Sequence, residues 1–425
     1  MWYDKITFLF KNKDIRNKFI FVLFLFVVFR IAANVPIPGI GLENLRQFFA
    51  QNQVFGLLNI FSGGALSNLS IVLLGVGPYI TATIILQLLT MIFPALEKMY
   101  KEEGEAGRHK FNQYGRLLTI PLAVFEGYGI LTLFIRQGVI SPMSPLLMVS
   151  SIITIAAGSM FLMWLGEIIT EQGIGNGISL LIFAGIIATL PSNIFQTFVT
   201  FDPSQIPSYL LFFALSIAII AGVVLITEAR RNIPVSYAKR VRGNKMYGGV
   251  STYLPLNVNP AGVIPIIFAL SLLLFPGMIA GFLTGVPGFV GVWAANVAMF
   301  FNNAWVHGVL YFILVVVFTY FYTAVTFNPR TIAENLQKMG GFIPGVRPGK
   351  STSSFLNHIL NRVLFTGAIS LGLIAVLPSI VAGLTGVTGF TFLIGGTSLL
   401  IIVSVVLDTM RQINAQLEMR EYDTF

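Results

Sequence analysis

Ten apolar stretches follow one another along the chain, each near the roughly 20 residues that an α-helix needs to cross about 30 Å of hydrocarbon. They run at about 19–35, 71–93, 117–135, 146–166 and 178–192, and then at about 209–227, 263–285, 305–327, 363–382 and 392–408. In lipid the backbone must satisfy its own hydrogen bonds, so stretches of this kind are helices. Of all residues 55% are hydrophobic and 10% charged, where a soluble domain carries roughly 25% charged residues. A water-soluble globule is excluded. The first stretch follows a basic segment but lacks a small-residue cleavage site, and it reads as a retained span.

The basic residues assign the sides. With the N-terminus in the cytoplasm, 23 of the 26 Lys and Arg fall on inner segments: before the first span, at 97–116, at 228–262, at 328–362 and in the tail. Arg46 and Arg136 are outside, and Arg30 lies within the first span. That asymmetry follows the positive-inside rule and puts both termini in the cytoplasm of a multi-pass protein. The expected fold is all-α and polytopic, with ten transmembrane helices in two halves, 1–200 and 201–425. Five spans per half is an odd number, so related halves would sit inverted in the membrane, as in many transport proteins.

Some segments break this pattern. Phe55 to Phe61 is apolar and is followed by Ser62-Gly63-Gly64-Ala65-Leu66, too short a run to cross. It reads either as a re-entrant element lining a cavity or as a helix flat on the outer surface. The cluster Gly173, Gly175 and Gly177 reads as a tight turn between helices, because no strand precedes it. Pro344 to Ser351 ends like a phosphate-binding loop, but Pro344 stands where the leading glycine belongs, and a bare loop between spans is the expected context. Nucleotide hydrolysis is rejected on these grounds, so directed transport must draw on a partner or a gradient.

Catalysis has little to stand on. There is no Cys, and His109, His307 and His358 are scattered over different segments. No nucleophile–base pair, metal centre or cofactor site is expected. The near absence of carboxylates from the spans weighs against an ion-coupled carrier, although an inverted-repeat solute transporter stays as the alternative. Glu126 and Arg30 are the in-span exceptions, open to a functional role or to structural pairing. The inner loops at about 228–262 and 328–362 are long for connectors and rich in Lys and Arg. Such loops suit RNA phosphates or an acidic protein surface.

Taken in order, Pro36-Ile37-Pro38-Gly39, Phe61 to Leu66, Gly77-Pro78-Tyr79-Ile80, Gly173 to Ser179, Tyr237 to Arg240, Pro260 to Pro265, Phe327 to Arg330, Pro344 to Gly349 and Gly395 to Leu400 are spread over nearly the whole chain. Through them the chain resembles the SecY family, the central subunit of the bacterial protein-conducting channel, and looks like a Gram-positive member. The resemblance implies a plasma-membrane channel that moves unfolded secretory chains outward and membrane segments sideways. It implies an hourglass closed at the waist by Val76, Ile80, Ile178, Ile182, Ile267 and Ile401. A short re-entrant plug helix at about 55–69, including Phe61, Ser62, Gly63, Gly64, Ala65 and Leu66, would close one side. The sideways exit would lie between spans two and three and spans seven and eight, with Thr81 and Gln87 at the seam. The basic loops would dock the SecA motor and the translating ribosome through Lys239, Arg240, Arg242, Lys245, Arg330, Arg347 and Lys350. Asn244 stands where some relatives carry Arg. Small SecE and SecG subunits are implied as partners. From spacing alone, 76/80 and 178/182 are i,i+4 pairs on single helix faces, a pattern that a lipid-facing stripe also produces.

Overall fold

The computed structural model describes residues 13–38, 59, 62–199, 203–237, 240–242, 245–247, 251–283, 288–385 and 396–423. The first half contains α1 (Lys13–Asn34), α2 (Gly77–Ile92), α3 (Pro94–Lys101), α4 (Gly104–Arg136), α5 (Pro145–Glu171) and α6 (Gly177–Val199). The second contains α7 (Ile206–Glu228), α8 (Ile264–Leu283), α9 (Phe289–Asn302), α10 (Ala304–Thr326), α11 (Pro329–Lys338), α12 (Lys350–Thr385) and α13 (Gly396–Asp423). Every expected span overlaps a helix. Six of the described helices are long and apolar enough to cross a membrane by themselves. The α2–α3 pair is bent by 111° where Phe93 gives way to Pro94, which cannot continue the α2 ladder.

Span two departs from the expected 71–93. Residues 71–76 are turns, and α2 begins only at Gly77. The cause is a close approach: a Cβ on Gly158 of α5 would lie 1.9 Å from the Ile71 carbonyl oxygen. Small residues let backbones meet this way inside a membrane bundle, and non-helical backbone survives at depth when protein covers it. Helix α9 was not anticipated. Its 14 residues carry no charge and are too few to cross, and it exposes Phe289, Trp293 and Met299.

The two inner loops are likewise not bare loops. β1 (Arg230–Tyr237) pairs antiparallel with β4 (Ser251–Asn257), and β5 (Gly341–Phe342) adds to the other edge of β1 through Ser236↔Phe342 and Tyr237↔Gly341. β2 (Arg240–Arg242) and β3 (Lys245–Tyr247) form a separate antiparallel pair. Alternation in Arg230–Tyr237 explains the strand: Ile233 and Val235 turn inward. They join Leu256, Leu336, Ile343, Leu356 and Ile359 in an apolar cluster beneath the sheet. Asn328-Pro329-Arg330 starts α11, where the Asn328 side chain accepts from the Arg330 and Thr331 amides and Pro329 takes the first helical turn.

Candidate functional site

The largest buried apolar cluster draws on α1, α2, α5, α6, α7, α8, α10, α12 and α13, and so on both halves. Val76, Ile80, Ile182, Ile267 and Ile401 are all buried in it, and Ile178 is half-buried against it. Each of the six belongs to the start of a helix: Val76 caps α2, and the rest lie within two turns of the N-termini of α2, α6, α8 and α13. Ile178 also packs back onto its own half, since a Cβ on Gly166 of α5 would meet its Cδ1 at 2.4 Å. The contact of α8 with both α2 and α4 brings the two halves together along one seam.

Residues 62–69 form a run of turns folded into the bundle. Ser62, Ala65, Leu66 and Leu69 are buried, which removes the flat surface placement for this part. Gly63 sits between the Phe29 ring of α1 and the backbone of Gly185 in α6. The Ser62 hydroxyl donates to the Asn59 carbonyl at 3.0 Å and accepts from the Leu66 amide at 3.2 Å. Phe61, and the rest of 55–60 apart from Asn59, lie outside the described residues.

The two charges singled out within spans both face polar groups of neighbouring segments. Arg30 donates from Nη1 to the Gly63 carbonyl. Glu126 is buried in α4, where it faces Thr81 of α2 and its Oε2 would lie 4.0 Å from a Cβ on Gly77. Thr81 thereby turns toward its own half, and its hydroxyl donates to the Gly77 carbonyl at 3.1 Å. Gln87 is half-buried with Oε1 unpartnered. The glycine cluster is the turn expected between α5 and α6: Gly173 has φ +75°, and the Gly177 amide donates to Thr170 Oγ1 at 2.9 Å. Sequence reasoning missed that α13 fastens this turn, with Gln416 donating to the Gly173 carbonyl, while Arg411 reaches Glu228 at 2.9 Å and Asp408 at 3.4 Å. The Gly173 carbonyl carries no residue signature that sequence could have shown, whereas the i,i+3 spacing of Asp408 and Arg411 was a signal open to it.

Arg330, Arg347 and Lys350 are exposed, on or beside α11 and the start of α12. Arg330 pairs with Glu334 at 3.2 Å. Arg240, Arg242 and Lys245 lie in the β2–β3 pair, and the backbone register sets Arg242 opposite Lys245. Lys239 and Asn244 fall outside the described residues. The 344–351 segment lies between a two-residue strand and a helix N-terminus, which corrects the expected context. Pro344 still replaces the glycine that phosphate-binding loops require. Among the described residues no group of His, Asp and Glu could hold a metal ion.

Comparison with known proteins agrees with this architecture. The SecY family profile matches residues 70–410. The protein translocase subunit SecY of Aquifex aeolicus is 44% identical, covering 98% of both chains, and that of Streptomyces galbus is 43% identical with the same coverage. Among solved structures, a protein-conducting channel superposes with TM-score 0.65 at 20% identity, covering 93% of this chain and 90% of the other. Sec61 from a canine ribosome–channel complex gives 0.60 at 19% identity, covering 93% and 90%. The chain belongs to the SecY family, the protein-conducting channels of cell membranes.

Proposed function

We propose that unfolded polypeptides pass between the two halves through a waist formed by Val76, Ile80, Ile178, Ile182, Ile267 and Ile401. The observation that carries this reading is the burial of five of these residues, from both halves, in one apolar cluster. An apolar constriction sheds water and ions while offering a passing chain no fixed hydrogen-bond partner. Residues 61–66 act as the plug, a role supported by the burial of Ser62, Gly63, Ala65 and Leu66 and by the packing of Gly63 between α1 and α6. The halves 1–200 and 201–425 are inverted copies with both termini cytoplasmic, which the charge asymmetry supports.

The path opens sideways along the α2–α8 and α4–α8 contacts, where Gln87 offers an unpaired acceptor and Thr81 lies in the adjoining α2–α4 contact. The sheet that joins the two basic loops is the docking face for the SecA motor and the ribosome. Arg330, Arg347 and Lys350 are exposed there, and the Arg and Lys content of the two loops favours an anionic partner. SecE and SecG complete the complex, and no bond-making chemistry is assigned to the chain. The test replaces Ile80, Ile182 and Ile401 with Asn and measures resting ion conductance after reconstitution. A raised leak is expected, and conductance equal to the parent's would refute the waist.

A further inference from the structure

The re-entrant segment is held at its two ends by different means. At 69–71 it is stitched to the chain leaving α1 by backbone bonds: the Ile37 amide donates to the Leu69 carbonyl at 2.9 Å, and the Ile71 amide to the Val35 carbonyl at 2.9 Å. Asn68 adds a bond from Nδ2 to Asn34 Oδ1 at 3.2 Å. At 63–64, where Gly63 packs on the Phe29 ring, the polar fastening to α1 among the described residues is one charged side chain. Arg30 Nη1 donates to the Gly63 carbonyl, and the same nitrogen would lie 3.9 Å from a Cβ on Gly64. Gly63 has φ +69°, and a Cβ there would meet the Gly185 backbone at 3.0 Å and the Phe29 ring at 3.1 Å. Glycine therefore both permits the turn and lets this carbonyl approach α1.

Among the described residues no carboxylate pairs with Arg30. A guanidinium within a span needs acceptors, and here the acceptor belongs to the segment that must move. We propose that Arg30 is a positioning residue for gating: it latches the tip of the plug, while the 35–37/69–71 bridge is the pivot about which the plug swings. The proposal rests on the plug reading above. Leaving the latch unpaired costs Arg30 its acceptor, so each opening is biased back toward closure. A hydrogen bond to a charged group corresponds to about a ten- to hundredfold change in an equilibrium, here the closed-to-open ratio of the plug.

The chain contains no Cys, so a single introduced thiol reports without background. Ser62→Cys places one in the plug, at a position 5% exposed, and Ser159→Cys places one in α5, at a position 1% exposed. Full-length protein in vesicles is labelled with a membrane-impermeant thiol reagent. Arg30→Met is expected to raise the labelling rate at position 62 about tenfold or more, with Arg30→Lys recovering much of the protection and position 159 unchanged throughout. An unaltered rate at 62 would overturn the latch, and so would equal acceleration at 62 and 159, which would mean that Arg30 supports the whole fold. Failure of the parent chain to export a secretory polypeptide would refute the channel reading instead, and leaves the labelling comparison to judge the latch alone.

Discussion

Gly158→Ala tests whether the late start of α2 is imposed by the α5 contact. The added Cβ would stand 1.9 Å from the Ile71 carbonyl oxygen, 2.7 Å from its carbon and 3.2 Å from Val72 Cα. A carbon and an oxygen rest at about 3.3 Å or more, so the Ile71–Val72 backbone must retreat by roughly 1.4 Å. Overpacking of this kind costs about 1–3 kcal/mol, and the retreat strains the Ile71 amide bond to Val35, worth about 1 kcal/mol. Replacing Gly by Ala within a helix returns about 1 kcal/mol. The net is a loss of about 1–3 kcal/mol. Gly129 in α4 supplies the control, because a Cβ there meets nothing within 4 Å, and Gly129→Ala should be neutral or stabilising by up to about 1 kcal/mol. Thermal unfolding of the two variants in detergent, followed by loss of the monodisperse peak, measures the difference. Equal stability of Gly158→Ala and Gly129→Ala would show that the backbone at 71–72 yields freely, and the account of the α2 start would fall.

Other predictions concern the basic end. Arg347→Glu is expected to impair motor-driven secretion while changing stability by less than about 0.5 kcal/mol, because the side chain is exposed; paired transport and melting assays check this. Asn328→Ala removes the side chain that caps α11 and should cost about 1 kcal/mol locally, read as faster proteolysis within 329–338. Ser236→Cys with Phe342→Cys puts two thiols at directly opposed strand positions, where Cβ atoms lie about 5 Å apart. Oxidation should link the two loops, so that fragments from a cut between them stay joined in a non-reducing gel. Separate fragments would refute the joining strand.

The site was legible in the sequence to very different degrees from one element to the next. Ile182 and Ile401 were singled out by resemblance, and their burial in one cluster depends on helices more than 200 residues apart in sequence meeting. The strand at 230–237 is short and carries Pro234 among basic residues, so its alternation of Ile233 and Val235 was outweighed by loop composition. Its partner β5 has only two residues, too few for any periodicity to register. Arg30 and Glu126 stood out as charges inside spans, but what they face, the Gly63 carbonyl and the start of α2 at Gly77 and Thr81, lies on other elements.

By itself the sequence determined which segments enter the membrane and where the basic loops lie. Both follow from transfer of side chains between water and lipid, a property that each segment carries alone. The late start of α2, the joining of two loops into one sheet and the capture of Gly63 by Arg30 were decided only by the tertiary structure. Each depends on two backbones, or a side chain and a carbonyl, approaching to within a few ångströms. Such contacts arise from packing of distant segments, and the residues that make them have no local pattern to betray them.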